Sequence, residues 1–89
     1  MHFDWDSRKR ASNTKKHGID FIDLVDFFEA DFLQQKLAFA DEQRWKAIGS
    51  LNGEITTVVY TKRKQKLRII SARKARINEQ KLYRVLFER

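Results

Sequence analysis

Cations crowd one short stretch of this 89-residue chain: in RIISARKAR, residues 68–76, Arg68 leads into the apolar pair Ile69-Ile70, and behind that pair stand Arg73, Lys74 and Arg76. The spacing of Leu82, Val85 and Leu86 predicts a helix over about 74–88, so Arg73, Lys74 and Arg76 would stand at the helix end that already carries partial positive charge. Cations are unfavourable there by ~0.3–1 kcal/mol, and Asp or Glu is the usual choice. A phosphate would reverse the balance, because amide donors and guanidinium groups would then share one anion. The stretch therefore reads as a phosphate site.

The remaining chemistry is narrow. There is no Cys, and His2 and His17 stand apart, so no spacing suits a metal, and neither a metal nor any other cofactor is expected. The three glycines are scattered and form no phosphate-binding loop, and Ser71 is better read as a helix cap than as a nucleophile. Arg, Lys, His and Tyr are left. That set suits metal-free RNA cleavage, in which the 2′-hydroxyl attacks the adjacent phosphate while a base takes its proton, an acid serves the leaving oxygen and cations stabilise the phosphorane. Position alone reads His17, before Gly18, first as a helix-end cation, and Tyr60 and Tyr83 first as packing aromatics.

Charge distribution points to a polyanion. Residues 8–17 carry five Lys or Arg and no acid, residues 62–76 carry eight and no acid, and residues 20–43 carry seven acids and Lys36 alone. Such segregation inside a net charge of +7 attracts nucleic acid, although solvated surface is the plainer alternative. No apolar run could span a membrane and MHFDWDSRKR is not a secretory leader, so a cytoplasmic protein with no membrane partner is expected.

The elements that must position these groups form one domain over residues 1–89. Phe3 and Trp5 suit a short strand, Asp6 or Ser7 can cap a helix over 7–17, and Gly18 stops it. Asp20 caps a helix over 21–29 whose Phe21, Leu24, Val25 and Phe28 form a core stripe. Strands follow over 33–40, 44–51, 54–62 and 66–72. Asn52-Gly53 predicts a two-residue hairpin that sets Trp45 opposite Tyr60, Ala47 opposite Val58 and Arg44 opposite Thr61. A second turn at Lys64-Gln65 would set Thr61 opposite Arg68, flanking Thr61 with Arg44 and Arg68 in one row. The class is α+β, an antiparallel sheet with helices on one face and a basic open face on the other.

The segments FDWD (3–6), Lys9, Asn13, KHGIDF (16–21), Glu42 and Arg44, Ile48-Gly49, VVYT (58–61) and RIISARKA (68–75) with Tyr83 resemble the BrnT family, whose members are ribonuclease toxins of type II toxin–antitoxin modules with a RelE-like fold. The resemblance implies cytoplasmic RNA cleavage that inhibits translation, and neutralisation by a cognate BrnA-type antitoxin in a heterotetramer that meets operator DNA only through the antitoxin. It assigns His17, Arg44, Arg68, Arg73 and Tyr83 to the active site: Arg68 and Arg73 at the phosphate, Arg44 for positioning, His17 or Tyr83 for proton transfer. Lys16, Lys46, Lys62, Arg63, Lys74 and Arg76 are the accompanying RNA-binding candidates. Ser7, Asp31-Phe32 and Asn78-Glu79-Gln80 depart from the family pattern. A non-catalytic module binding nucleic acid or a protein partner is the alternative.

Overall fold

The computed structural model describes residues 2–38 and 41–88. In chain order they form β1 (His2–Trp5), α1 (Ser7–His17), a 3-10 turn (Phe21–Asp23), α2 (Leu24–Glu29), β2 (Phe32–Leu37), β3 (Arg44–Leu51), β4 (Glu54–Arg63), β5 (Lys66–Lys74) and α3 (Ile77–Phe87). The strands make one sheet in the order β1-β5-β4-β3-β2. The pairs are antiparallel except for β1, which lies parallel to β5. The expected α+β architecture is present. The end of the second expected strand, residues 39 and 40, lies outside the described residues. No helix among the described residues is long and apolar enough to cross a membrane.

Local chemistry sets the boundaries. Asp6 caps α1 by accepting the amides of Arg8 at 2.8 Å and Lys9 at 3.2 Å, and Gly18 ends it with φ 70° and an N–H donated to the Thr14 carbonyl. Asn52 and Gly53 both hold positive φ, 52° and 81°, the two-residue turn that suits the twist of a hairpin. All the cross-strand pairs expected from that turn occur, and Thr61 faces Arg68 across the second hairpin as expected.

Beyond Tyr60 the β4–β5 ladder slips by one residue: Tyr60 faces Ile69, but Val59 faces Ser71. Ile70 is the extra residue of a bulge. The slip reverses the alternation that a regular strand would impose, so Ala72 joins the core and Arg73 pairs with Thr57 on the opposite face.

One sheet face is dry. Ala47, Val58, Tyr60, Leu67, Ile69 and Ala72 pack beneath Phe21, Leu24, Phe27 and Phe28, and Phe28 lies 5.0–5.8 Å from Phe27, Phe32, Tyr60 and Phe3 in mostly edge-on contacts. Tyr60 donates its hydroxyl to Gln34 Oε1, and burial pushes its pKa up to about 12. Gly49 is required here, because a Cβ at that position would lie 2.8 Å from Cε2 of Phe27.

The third helix differs from expectation in start, face and stripe. β5 runs on to Lys74 because the first residues of β4 need partners: Thr56 pairs with Lys74, and the Ala75 amide still donates to the Ile55 carbonyl at 3.0 Å. α3 therefore begins at Ile77 rather than near 74. It packs on the face opposite α1 and α2, where Ala75 and Tyr83 meet Ile48, Ile55 and Leu33, so the helices do not share one face. Leu82, Val85 and Leu86 point outward, with Val85 72% exposed, and Glu79 takes the inward position.

Candidate functional site

α3 covers the upper half of the second face and leaves the lower half open. Across that open half one row of the ladder aligns Asp4, Arg68, Thr61 and Arg44 on four neighbouring strands. Arg68 Nη1 donates to Asp4 Oδ2 at 2.6 Å, which lowers the Asp4 pKa. Thr61 is buried and spends its hydroxyl on the Gln43 carbonyl at 2.7 Å, tying down the chain just before β3. Glu42, in that segment, meets Arg63 at 3.2 Å and approaches Arg44 Nε at 3.9 Å.

These groups enclose a polar cleft of about 120 Å³ lined by Asp6, Lys9, Glu42, Arg44, Arg63, Arg68, Ile69 and Ile70. Asp6 reaches it as the cap of α1, its pKa lowered by the Lys9 and Arg8 amides, and Lys9 follows one turn on. Four cations and two carboxylates thus converge on one small opening. Such a set can grip a phosphate from several sides and move a proton beside it.

A second polar cluster resolves the puzzle of RIISARKAR. Arg73 and Lys74 are strand residues, and the anion at the start of α3 belongs to the protein itself. Glu79, only 1% exposed, accepts from Arg73 at 2.7 and 3.0 Å, from Thr57 Oγ1 at 3.0 Å and from the Arg76 amide at 2.8 Å, and Lys46 Nζ lies 3.0 Å away. Burial alone would raise its pKa. The Arg73 guanidinium, the Arg76 amide, Lys46 and Thr57 outweigh that and hold it well below the usual carboxylate range. The helix-end phosphate site read from the sequence is filled by this carboxylate.

The structure therefore brings some of the assigned residues together and separates others. Arg44 and Arg68 share the cleft with Arg63. Arg73 and Lys46 lie further up the same face, held by Glu79. His17 is exposed at the end of α1 and lines a different cavity, of about 300 Å³, with Asp23, Asn52, Glu54 and Lys74. Tyr83 is half-buried on α3 against the Ile48–Ile55 cluster, its ring tilted at 49° to that of Phe87. Lys16 is exposed on α1, Lys74 pairs with Glu54 at 3.5 Å, Arg76 precedes α3, and Lys62 lies over Trp45. Asp4, Asp6, Lys9 and Glu42 were not among the assigned site residues, although the FDWD spacing and Lys9 hold the signal: a strand ending in a capped helix delivers a carboxylate and an ammonium to one strand end.

A family model described as "Ribonuclease toxin, BrnT, of type II toxin-antitoxin system" matches residues 5–79. The chain belongs to the BrnT family. Its family-level character is thus that of a type II toxin with ribonuclease activity, and an antitoxin partner and an RNA substrate follow from that class. The BrnT match takes in every cleft-lining residue and ends at Glu79, before Tyr83. Among curated proteins, none matches the chain.

Proposed function

We propose that the open-face cleft cleaves RNA without a metal ion. The convergence of Lys9, Arg44, Arg63 and Arg68 on one opening beside Glu42 carries this reading. Arg68 and Arg63 grip the scissile phosphate and Arg44, anchored beside Thr61, fixes its orientation. Glu42 takes the proton of the 2′-hydroxyl as its oxygen bonds to phosphorus. The bond from phosphorus to the 5′-oxygen breaks, and Lys9 supplies the proton that oxygen needs. The products are a 2′,3′-cyclic phosphate and a 5′-hydroxyl. Arg73, tied to Glu79, supports the phosphate from further up the face, and Lys46, Lys62, Lys16, Lys74 and Arg76 extend the positive field along the strand of RNA. His17 and Tyr83 stand outside the cleft and act on flanking nucleotides.

In the cell this activity halts translation in the cytoplasm, and a cognate BrnA-type antitoxin neutralises it by covering the basic face in a heterotetramer that reaches operator DNA through the antitoxin. The test is cleavage of single-stranded RNA by the purified protein in excess chelator, with the product ends identified. Chelator-resistant cleavage to cyclic phosphates, lost in Arg68→Ala and Glu42→Gln, supports the reading. Cleavage abolished by chelator and restored by Mg²⁺ overturns the metal-free route. Tight, salt-sensitive binding with intact RNA would instead identify a non-catalytic nucleic-acid module.

A further inference from the structure

The location of uncompensated charge singles out the end of the sheet beyond the cleft. Most cations of the sheet are matched: Arg68 by Asp4, Arg63 by Glu42, Arg73 and Lys46 by Glu79, Lys74 by Glu54. Lys36, Lys62, Lys64 and Lys66 form no ion pair with any of the described residues. All four surround the tip of the β4–β5 hairpin and the neighbouring stretch of β2. Lys64 even takes φ 55° in the turn, a conformation that Gly or Asn adopts at lower cost.

An aromatic ring stands among them. Trp45, half-buried on β3, has Lys62 Nζ 4.5 Å and Lys36 Nζ 5.5 Å from its ring centroid. Strand alternation links this cluster to the cleft. Arg44 and Arg63 point to the open face, and their chain neighbours Trp45 and Lys62 point to the other. The two-residue hairpin turn lies between them, and a hollow of about 190 Å³ lined by Lys62, Lys64, Gln65, Lys66 and Leu67 continues the path around the sheet end. A flexible polyanion leaving the cleft meets lysines all the way to the tryptophan.

We propose that Trp45 with Lys36, Lys62, Lys64 and Lys66 is a second RNA subsite, which holds nucleotides flanking the scissile one. It rests on the ribonuclease reading of the cleft. The lysine ammonium groups move from the ring to phosphates, and a base stacks on the ring face they leave. This is the usual construction of single-strand sites, a basic track with an aromatic platform, and it is indifferent to base identity.

The test uses Trp5→Phe protein, in which Trp45 is the sole tryptophan, titrated with a 2′-O-methyl oligoadenylate of about eight nucleotides, which cannot undergo 2′-attack. Saturable quenching of Trp45 fluorescence is expected. The logarithm of affinity should fall with the logarithm of salt, and each of Lys62→Ala and Lys64→Ala should reduce that slope by about 0.7. Unchanged Trp45 emission at saturation, a salt slope untouched by both lysine variants, or equal quenching by polyglutamate overturns the subsite. Should Trp5→Phe fail to fold, the same titration with unsubstituted protein, compared with Trp45→Phe, isolates the signal. RNA cleavage by the unsubstituted protein without Trp45 quenching refutes the subsite alone. Quenching without cleavage refutes the ribonuclease reading alone and leaves an RNA-binding surface.

Discussion

Glu79 is the group whose removal should cost most per atom. Replacing it by Gln keeps the volume but takes away the charge that faces Arg73, Lys46, Thr57 and the Arg76 amide. Breaking a buried ion pair from one side costs about 3–5 kcal/mol. Arg73 and Lys46 keep roughly a quarter of their side-chain surface in water and can turn outward, so we expect about 2–4 kcal/mol instead. In a domain of this size that is a fall of roughly 10–25 °C in Tm. The pH dependence has a definite sign. The folded pKa is depressed, so the contribution is complete above the unfolded value of about 4.3 and declines by about 1.4 kcal/mol per pH unit as pH falls below it toward the folded value. Urea unfolding of the native sequence and Glu79→Gln should thus show a gap at pH 7 that narrows by pH 3. Asp4, Asp6 and Asp20 also have lowered pKa values and lose their stabilising contribution in both proteins alike as pH falls, which makes the difference the relevant quantity. A gap under about 0.5 kcal/mol at pH 7, or one that persists unchanged at pH 3, would refute the argument.

Other perturbations separate packing, backbone and site effects. Gly49→Ala places a Cβ 2.8 Å from the buried Phe27 ring and should cost about 1–3 kcal/mol by urea unfolding. Gly53→Ala meets no atom within 4 Å, so its cost of about 1 kcal/mol comes from the φ of 81° alone, and Gly53→Asn should recover most of it. Asp4→Ala frees Arg68 from its 2.6 Å tether and should slow RNA cleavage about ten- to a hundredfold while unfolding shifts little; unchanged kcat would show that the tether does not position Arg68. Deleting Ile70 removes the bulge without moving any other side chain to the wrong face, so circular dichroism should stay native while cleavage falls through the altered cleft wall.

Much of the frame was legible because it rests on local rules. Asn52-Gly53 can hardly form anything but a tight hairpin; counting outward from it gives Arg44 opposite Thr61, and the second turn at Lys64-Gln65 adds Arg68 to the row that the structure contains. The caps at Asp6, Gly18 and Asp20 are likewise local. α3 was misplaced because its limits are not local: β4 extends to Glu54, and its open edge draws residues 73–75 into the ladder before a helix can start. Its stripe misled for a related reason. Leu82, Val85 and Leu86 have helical spacing, but β5 delivers the helix in a rotation that turns Glu79 and Tyr83 inward. A carboxylate in that position offsets its desolvation only when Arg73, Lys46 and Thr57 surround it, and strands far apart in sequence supply them.

The bulge at Ile70 connects the two cation clusters. Arg68 and Arg73 are five residues apart, and in a regular strand an odd separation puts two side chains on opposite faces. If the same residues ran through a ladder with no slip, Arg73 would turn toward the phenylalanine core beneath α1 and α2, where no acid awaits it, and Ala72 would take its place on the open face. With it, Ala72 fills the core and Arg73 reaches Glu79. One residue of slip thus allows a single strand to carry Arg68 into the cleft and Arg73 into the clamp that holds α3 on the same face. The cost is a local break in the ladder. That break goes with an arrangement in which the cleft and the last helix share one side of the sheet.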